Sequence, residues 1–207
     1  GSLPPARLDE RSREHPFRIS FLGNLVPRKG VHTLLRGLAR LPDDDWRLLA
    51  IGDTTVDTGY VRRLRRLAGR LGIDDAVSFS GRLPDDEVAV RLAECHLLAV
   101  PSTYEGFGLC YLEGMAFGLP ALATTAGGAG ELVTDGENGL LVPPGSPAAV
   151  ADAVAPLLSD RDRLRELAHG ARERFDTHPT WAESGSRVRA FLRRLADDGP
   201  TRARGHT

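Results

Sequence analysis

Glu105 and Glu113, with seven residues between them, frame the stretch of this sequence best suited to chemistry. A glycine-rich turn, Glu105-Gly106-Phe107-Gly108, follows an apolar run at 97–100 and leads into a helical pattern. In that pattern Leu109, Leu112, Met115 and Ala116 share one side and Glu113 points away. Glycines on either side of Phe107 let the backbone N–H groups of Gly106, Phe107, Gly108 and Leu109 approach a ligand closely. The start of the helix adds partial positive charge, so the turn suits an anion such as phosphate. The carboxylates would repel that phosphate. They are fitted instead to accept hydrogen bonds from sugar hydroxyls, each charge-assisted bond worth roughly 1.5–3 kcal/mol. A phosphate held between hydroxyl-bearing groups describes a nucleotide sugar. Taken singly, Glu105 reads as a capping acid and Glu113 as a solvated one. The glycine-rich turn and the buried strand before it favour the binding role for the pair.

The elements that must position this turn follow from periodicity. Residues 17–23, 46–53, 76–81, 97–100, 120–124 and 138–142 are short apolar or alternating runs, and each reads as a strand. Helical patterns run from 29 or 30 to 41, 56–71, from 84 or 85 to 94, and on from 109. Three more follow, from 146 or 147 to 158, at 161–175 and at 180–195. The alternation predicts an α/β fold: a Rossmann-like, doubly wound parallel sheet with helices on both faces and extra C-terminal helices. Ligands bind such a sheet at the carboxyl ends of its strands, which is where Asn24, Arg28 and Lys29 fall. Lys29 is the only lysine in an arginine-rich chain, and its compact ammonium differs from a guanidinium fork. Glu131 falls in the first turn of a short helix, where the dipole favours a carboxylate. Arginines 62, 63, 65 and 66 lie on a helix exterior and read as a solvated face. His96, at the head of an apolar strand, reads as structural.

Four segments in order, GNLVPRKG (23–30), EGFGLCYLEGMAFGLP (105–120), GGAGELV (127–133) and DGENGLLVPPG (135–145), carry a resemblance. They resemble the retaining, nucleotide-sugar-dependent glycosyltransferases with a paired-glutamate motif, the large group 1 family that includes sucrose synthases and bacterial mannosyltransferases. The likeness covers roughly residues 19–195. It implies the C-terminal, donor-binding half of a GT-B enzyme, in which two Rossmann-like domains face across a cleft. The N-terminal acceptor domain would be the missing partner. Glu105 would then hold a sugar hydroxyl, Glu113 the ribose diol, and Lys29 the diphosphate, with Glu105 and Lys29 as the catalytic residues. The turn at Arg82 and Leu83 would seat the nucleotide base, and 127–133 would lie beside the donor sugar. Asn24 departs from the family, which usually has arginine here; a neutral amide can donate hydrogen bonds but lacks the charge attraction. No metal or other cofactor is implied, because Lys29 offsets charge on the leaving group. The full protein would transfer a sugar with retention, and these 207 residues alone would have negligible activity.

Composition narrows the classes. A formal net charge of −1 argues against a nucleic-acid partner, and an apolar share of 41% is ample for a core. Two cysteines, Cys95 and Cys110, show no metal-ligand spacing and suit packing roles in a reduced, cytoplasmic compartment. No run is apolar and long enough to span a bilayer, which is compatible with association of the full enzyme with a membrane surface. Residues 1–16 read as a tag remnant and linker, 17–196 as the donor-binding domain, and 197–207 as a disordered tail. Two rivals stand beside this reading. Half of a sugar-nucleotide epimerase would also need glycine-rich phosphate loops, but not this glutamate spacing. A non-catalytic nucleotide-binding module is the other, with Asn24 its best support. A dinucleotide oxidoreductase is disfavoured, since Tyr111 stands where the third glycine of G-x-G-x-x-G would be.

Overall fold

Apolar runs that helices can cover on both faces become the strands of this chain. They are β1 (Phe17–Leu22), β2 (Trp46–Ile51), β3 (Val77–Gly81), β4 (Leu97–Ala99), β5 (Ala121–Thr124) and β6 (Gly139–Val142). In the computed structural model, which describes residues 5–42 and 44–197, they form one sheet in the order β3-β2-β1-β4-β5-β6. Every pairing is parallel. Ile19 of β1 lies opposite Leu48 on one side and Leu97 on the other, all three buried. Continuous burial of β4 and β5 explains their unbroken apolar sequence.

The helices are α1 (Pro5–Arg11), α2 (Val31–Leu38), α3 (Thr58–Leu71), α4 (Asp85–Ala93), α5 (Leu109–Met115), α6 (Pro147–Ser159), α7 (Arg161–Thr177) and α8 (Trp181–Asp197). Caps set several ends. The Asp57 carboxylate accepts from the Tyr60 N–H at 2.7 Å, so α3 starts two residues later than periodicity suggests. Ser146 does the same for α6, accepting from Ala149 N–H at 3.2 Å, with Pro147 at the first helical position. The segment expected to form a short helix around Glu131 is a 3-10 turn, Gly128–Glu131. Among the described residues no helix is long and apolar enough to cross a membrane.

Both expected domain limits differ from the structure. Residues 5–16 are not a linker: Leu8, Arg11 and Ser12 are buried, and α1 docks on the chain that leaves α5. Arg11 donates through Nη1 to the Phe117 carbonyl and through Nη2 to the Gly118 carbonyl, both at 2.8 Å, so it satisfies the carbonyls of the turn that follows α5. At the other end, the chain divides into two units, Gly1–Asp176 and Thr177–Thr207, rather than continuing as one domain to 196. The first contains the sheet. The second contains α8, on which Val188, Phe191 and Leu192 are exposed. The tail expected at 197–207 lies, from 198 on, outside the described residues.

Candidate functional site

The strand order reverses between β1 and β4, and a crevice opens outside their carboxyl ends, where doubly wound sheets bind ligands. Two loops make its floor. After β1 the chain runs through Gly23 and Asn24 into a 3-10 turn, Pro27–Lys29, before α2. After β4 it runs from Pro101 to Gly108 before α5.

These loops touch closely. Gly30 has φ +74°, and a Cβ there would fall 2.0 Å from the Pro101 carbonyl oxygen, so only glycine permits the approach. Thr103 N–H donates to the Arg28 carbonyl at 2.8 Å, and Arg28 Nη1 donates back to the Tyr104 carbonyl at 2.7 Å. The lacing brings Lys29 Nζ to 2.6 Å from Glu105 Oε2, across 76 residues of sequence. Ser102 Oγ donates to the same oxygen at 3.1 Å, and Arg28 Nη1 stands 4.0 Å from it. A third loop fixes the backbone: Gly128 N–H donates to the Glu105 carbonyl at 2.7 Å. Gly127 has φ +78°, and a Cβ there would fall 2.2 Å from that carbonyl oxygen.

Glu105 is therefore only 8% exposed and held by the loops after β1, β4 and β5. Its Oε2 is occupied by Lys29 and Ser102, while among the described residues Oε1 has no hydrogen-bond partner and can accept from a ligand. The Lys29 ammonium has three donors and gives one to Glu105, which leaves two for a phosphate.

The crevice is a cavity of about 680 Å³. Gly23, Asn24 and Lys29 line it from the loop after β1, and Glu105, Phe107 and Gly108 from the loop before α5. Leu109, Cys110 and Glu113 line it from α5, with Arg82, Leu83, Asp85 and Val88 on the opposite wall. Asn24, Lys29, Arg82, Leu83, Glu105, Phe107, Gly108, Leu109 and Glu113 thus share one cavity, whereas Gly106, whose carbonyl packs against Gly128, does not line it, nor does any residue of 127–133. Leu109 is not on the inward side of α5 as expected. It is half exposed to the cavity, and Tyr111, Leu112, Gly114 and Met115 face the core instead. Arg28, which sequence placed at the ligand edge, does not line the cavity; it clamps the two loops together.

Partial desolvation in the cavity wall pushes the Glu113 carboxyl above its ordinary value, and the Asp85 carboxylate adds to the push. A ligand hydroxyl that donates to the Glu113 carboxylate offsets part of that desolvation. Cys110 has its thiol pushed up to about 12 by burial, so it contributes bulk to the wall and not a nucleophile. Gly52 and Asp53, at the end of β2, also line the cavity, and sequence reasoning passed over them and Asp85. Strand-end position, the rule that located Asn24 and Lys29, applies equally to Asp53. Asp85 lies in the first turn of α4, whose N-cap is Pro84 and which no side chain caps. His96 lies at the amino edge of the sheet, buried and bonded through both ring nitrogens, as a structural residue. Among the described residues no group of three or more His, Cys, Asp or Glu side chains could hold a metal ion.

The fold recurs in known proteins. The chain is 36% identical over 203 residues to a GDP-mannose-dependent alpha-(1-6)-phosphatidylinositol monomannoside mannosyltransferase of Mycobacterium tuberculosis, covering 92% of this chain and 51% of the relative. It is 33% identical over 192 residues to a D-inositol 3-phosphate glycosyltransferase of Corynebacterium glutamicum, covering 88% of this chain and 46% of the relative. Among solved structures, Anabaena Alr3699/HepE in complex with UDP and glucose superposes with a TM-score of 0.80 at 28% identity, over 93% of this chain and 53% of that one. The chain spans about half the length of the curated relatives it matches. Residues 6–174 match the family model described as glycosyl transferases group 1, and the chain belongs to that family.

Proposed function

We propose that this chain is the donor-binding half of a retaining glycosyltransferase, with the nucleoside-diphosphate end of a sugar donor seated in the sheet-edge cavity. The observation that carries the reading is the convergence of Lys29, Glu105 and Glu113 on one cavity beside the glycine-rich turn. Glu113 accepts from the ribose diol, and Glu105 Oε1 accepts from a sugar hydroxyl. Backbone N–H groups at Phe107, Gly108 and Leu109 and the ammonium of Lys29 meet the diphosphate. The acceptor hydroxyl bonds to the anomeric carbon on the face the diphosphate leaves, the old carbon–oxygen bond breaks with its electron pair on the diphosphate oxygen, which takes up the acceptor's proton, and Lys29 offsets the growing charge without a metal. Arg82 and Leu83 lie where the base would rest. The acceptor sits on a second domain, a partner in keeping with relatives about twice this length. The unpaired thiols Cys95 and Cys110 suit a reducing, cytoplasmic compartment.

Calorimetric titration with UDP, GDP and ADP and their hexose conjugates tests the reading. At least one nucleotide binds, and Glu113→Ala weakens it about tenfold or more, the loss of a charge-assisted hydrogen bond of about 1.5–3 kcal/mol. Unchanged affinity in that variant removes the ribose assignment, and no binding by any nucleotide removes the donor site. The isolated chain transfers no sugar; turnover matching that of a longer chain would refute its standing as one half of the enzyme.

A further inference from the structure

Helix α3 is built unlike the arginine-bearing helices α4 and α7. Over Thr58–Leu71 it carries Arg62, Arg63, Arg65, Arg66 and Arg70 and no acidic residue. In α4 and α7 arginines sit one turn from acids. In α4, Arg91 lies between Glu87 and Glu94 at 3.8 and 3.9 Å, and in α7 Arg163, Arg165 and Arg172 pair with Glu166, Asp162 and Asp176 at 3.2, 3.2 and 2.6 Å. On α3 the spacing puts like charges together instead: Arg62, Arg66 and Arg70 succeed one another at intervals of four, a destabilising arrangement on an isolated helix.

Three of these arginines face a groove. Between α2 and α3 lies a second cavity, of about 880 Å³, lined by Arg36 of α2 and by Arg63, Arg66 and Arg70 of α3, with His32 and Tyr60 at one end and no carboxylate on its walls. Arg63 stands over the Tyr60 ring at 5.7 Å and has only Asp57 within reach, at 4.0 Å. Among the described residues Arg36, Arg66 and Arg70 have neither an ion pair nor a hydrogen bond. Tyr60 Oη accepts from the His32 N–H at 3.2 Å and shares a hydrogen bond with His32 Nδ1 at 2.8 Å, which fixes the imidazole at the groove. Arg65 is turned away, over the Phe79 ring at 5.2 Å.

We propose that the α2–α3 groove is a second ligand site, for an anion carrying two or more phosphate groups. Four guanidinium groups around one concavity, each with several N–H donors in a planar fork, match phosphate oxygens in charge and geometry. A single phosphate would leave most of that charge unmet, and a nucleic-acid backbone would need an extended basic face that the rest of the molecule, at a formal net charge of −1, does not supply. The groove is separate from the sheet-edge cavity, with which it shares only the turn Pro27–Lys29: Pro27 lines the groove and Lys29 the other cavity.

Calorimetric titration with inorganic tripolyphosphate is the test, run on the wild type, on Lys29→Ala, and on the combined variant Arg36→Gln, Arg66→Gln, Arg70→Gln. All three arginines are exposed, so the substitutions leave the core intact, which circular dichroism verifies. Wild type and Lys29→Ala bind, the combined variant binds at least about tenfold more weakly, and the wild-type affinity falls as salt is raised. Co-sedimentation with phosphatidylcholine vesicles, with and without cardiolipin, whose headgroup carries two phosphates, separates a soluble anion from a lipid headgroup as the source of phosphate. Capture by anionic vesicles that is lost in the combined variant assigns the site to the headgroup. Equal tripolyphosphate binding by wild type and combined variant, or loss of binding in Lys29→Ala alone, overturns the proposal.

Discussion

The amino and carboxyl edges of the sheet hold similar residues and leave them in opposite states. At the amino edge Arg11, 1% exposed, gives both terminal nitrogens to the Phe117 and Gly118 carbonyls. His96 accepts the Arg18 N–H on Nδ1 and donates from Nε2 to the Arg11 carbonyl, both at 2.8 Å, with its ring stacked on Phe17. At the carboxyl edge Lys29 and Glu105 are nearly as buried, but Glu105 Oε1 and two ammonium donors remain for something else. Phe107 and Leu109 beside them are about half exposed. Burial and charge alone do not distinguish a structural cluster from a binding one. The distinction lies in whether the hydrogen-bonding capacity left over is sealed inside the fold, as Arg11 Nε is, or opens onto a cavity.

Substitutions at the two edges should therefore move different observables. The largest effect is expected from Arg11→Met, which keeps the bulk and strands two carbonyls. Two charge-assisted bonds lost amount to about 3–6 kcal/mol of stability, read by urea unfolding, with nucleotide affinity in the folded protein unchanged. If affinity falls in step with stability, the amino edge is not merely structural and the comparison breaks. Next in size is the acid response of His96, whose burial lowers its pKa from 6.5 to about 3. Between those values the unfolded chain binds a proton that the folded chain refuses. The stabilisation is thus complete above pH 6.5 and fades as pH falls toward 3, by roughly 3 kcal/mol at pH 4. In His96→Gln that decline should be absent, so the stability gap between variant and wild type should narrow toward acid; parallel curves would contradict the assignment.

Most of the sheet was legible because strands covered on both faces must be apolar along their length, and these are. The glycine-rich turn and both glutamates were legible from residue type and spacing. Helix α1 was not, because PARLDER contains one leucine and its attachment depends on Arg11, a residue whose burial no hydropathy pattern announces. Leu109 was misplaced for a related reason: periodicity gives a face of α5 but not which part of that face overhangs a cavity. The contact of Lys29 with Glu105 was also out of reach. Sequence named both residues, but their 2.6 Å separation depends on Gly30 passing against Pro101, which is a property of the folded loops. Asp53 and Asp85 carry no local signal beyond lying after a strand.

The smallest expected effect sharpens the comparison most. Asn24 lies exposed at the cavity, where the resemblance predicts an arginine, and Lys29 is already shared with Glu105. The diphosphate therefore meets one divided cation where a pair would serve. Asn24→Arg adds a guanidinium at an open edge, where solvent screens it, so a gain of about 1 kcal/mol or less, up to roughly fivefold in nucleotide affinity, is expected. Nothing buried changes, so the unfolding midpoint without nucleotide should stay where it is. The gain should also shrink as salt is raised and disappear for a nucleoside that lacks phosphate. An equal gain for nucleoside and nucleotide would mean that position 24 acts through the shape of the loop, and the carboxyl edge would then be limited by packing, like its opposite, and not by charge left available to a ligand.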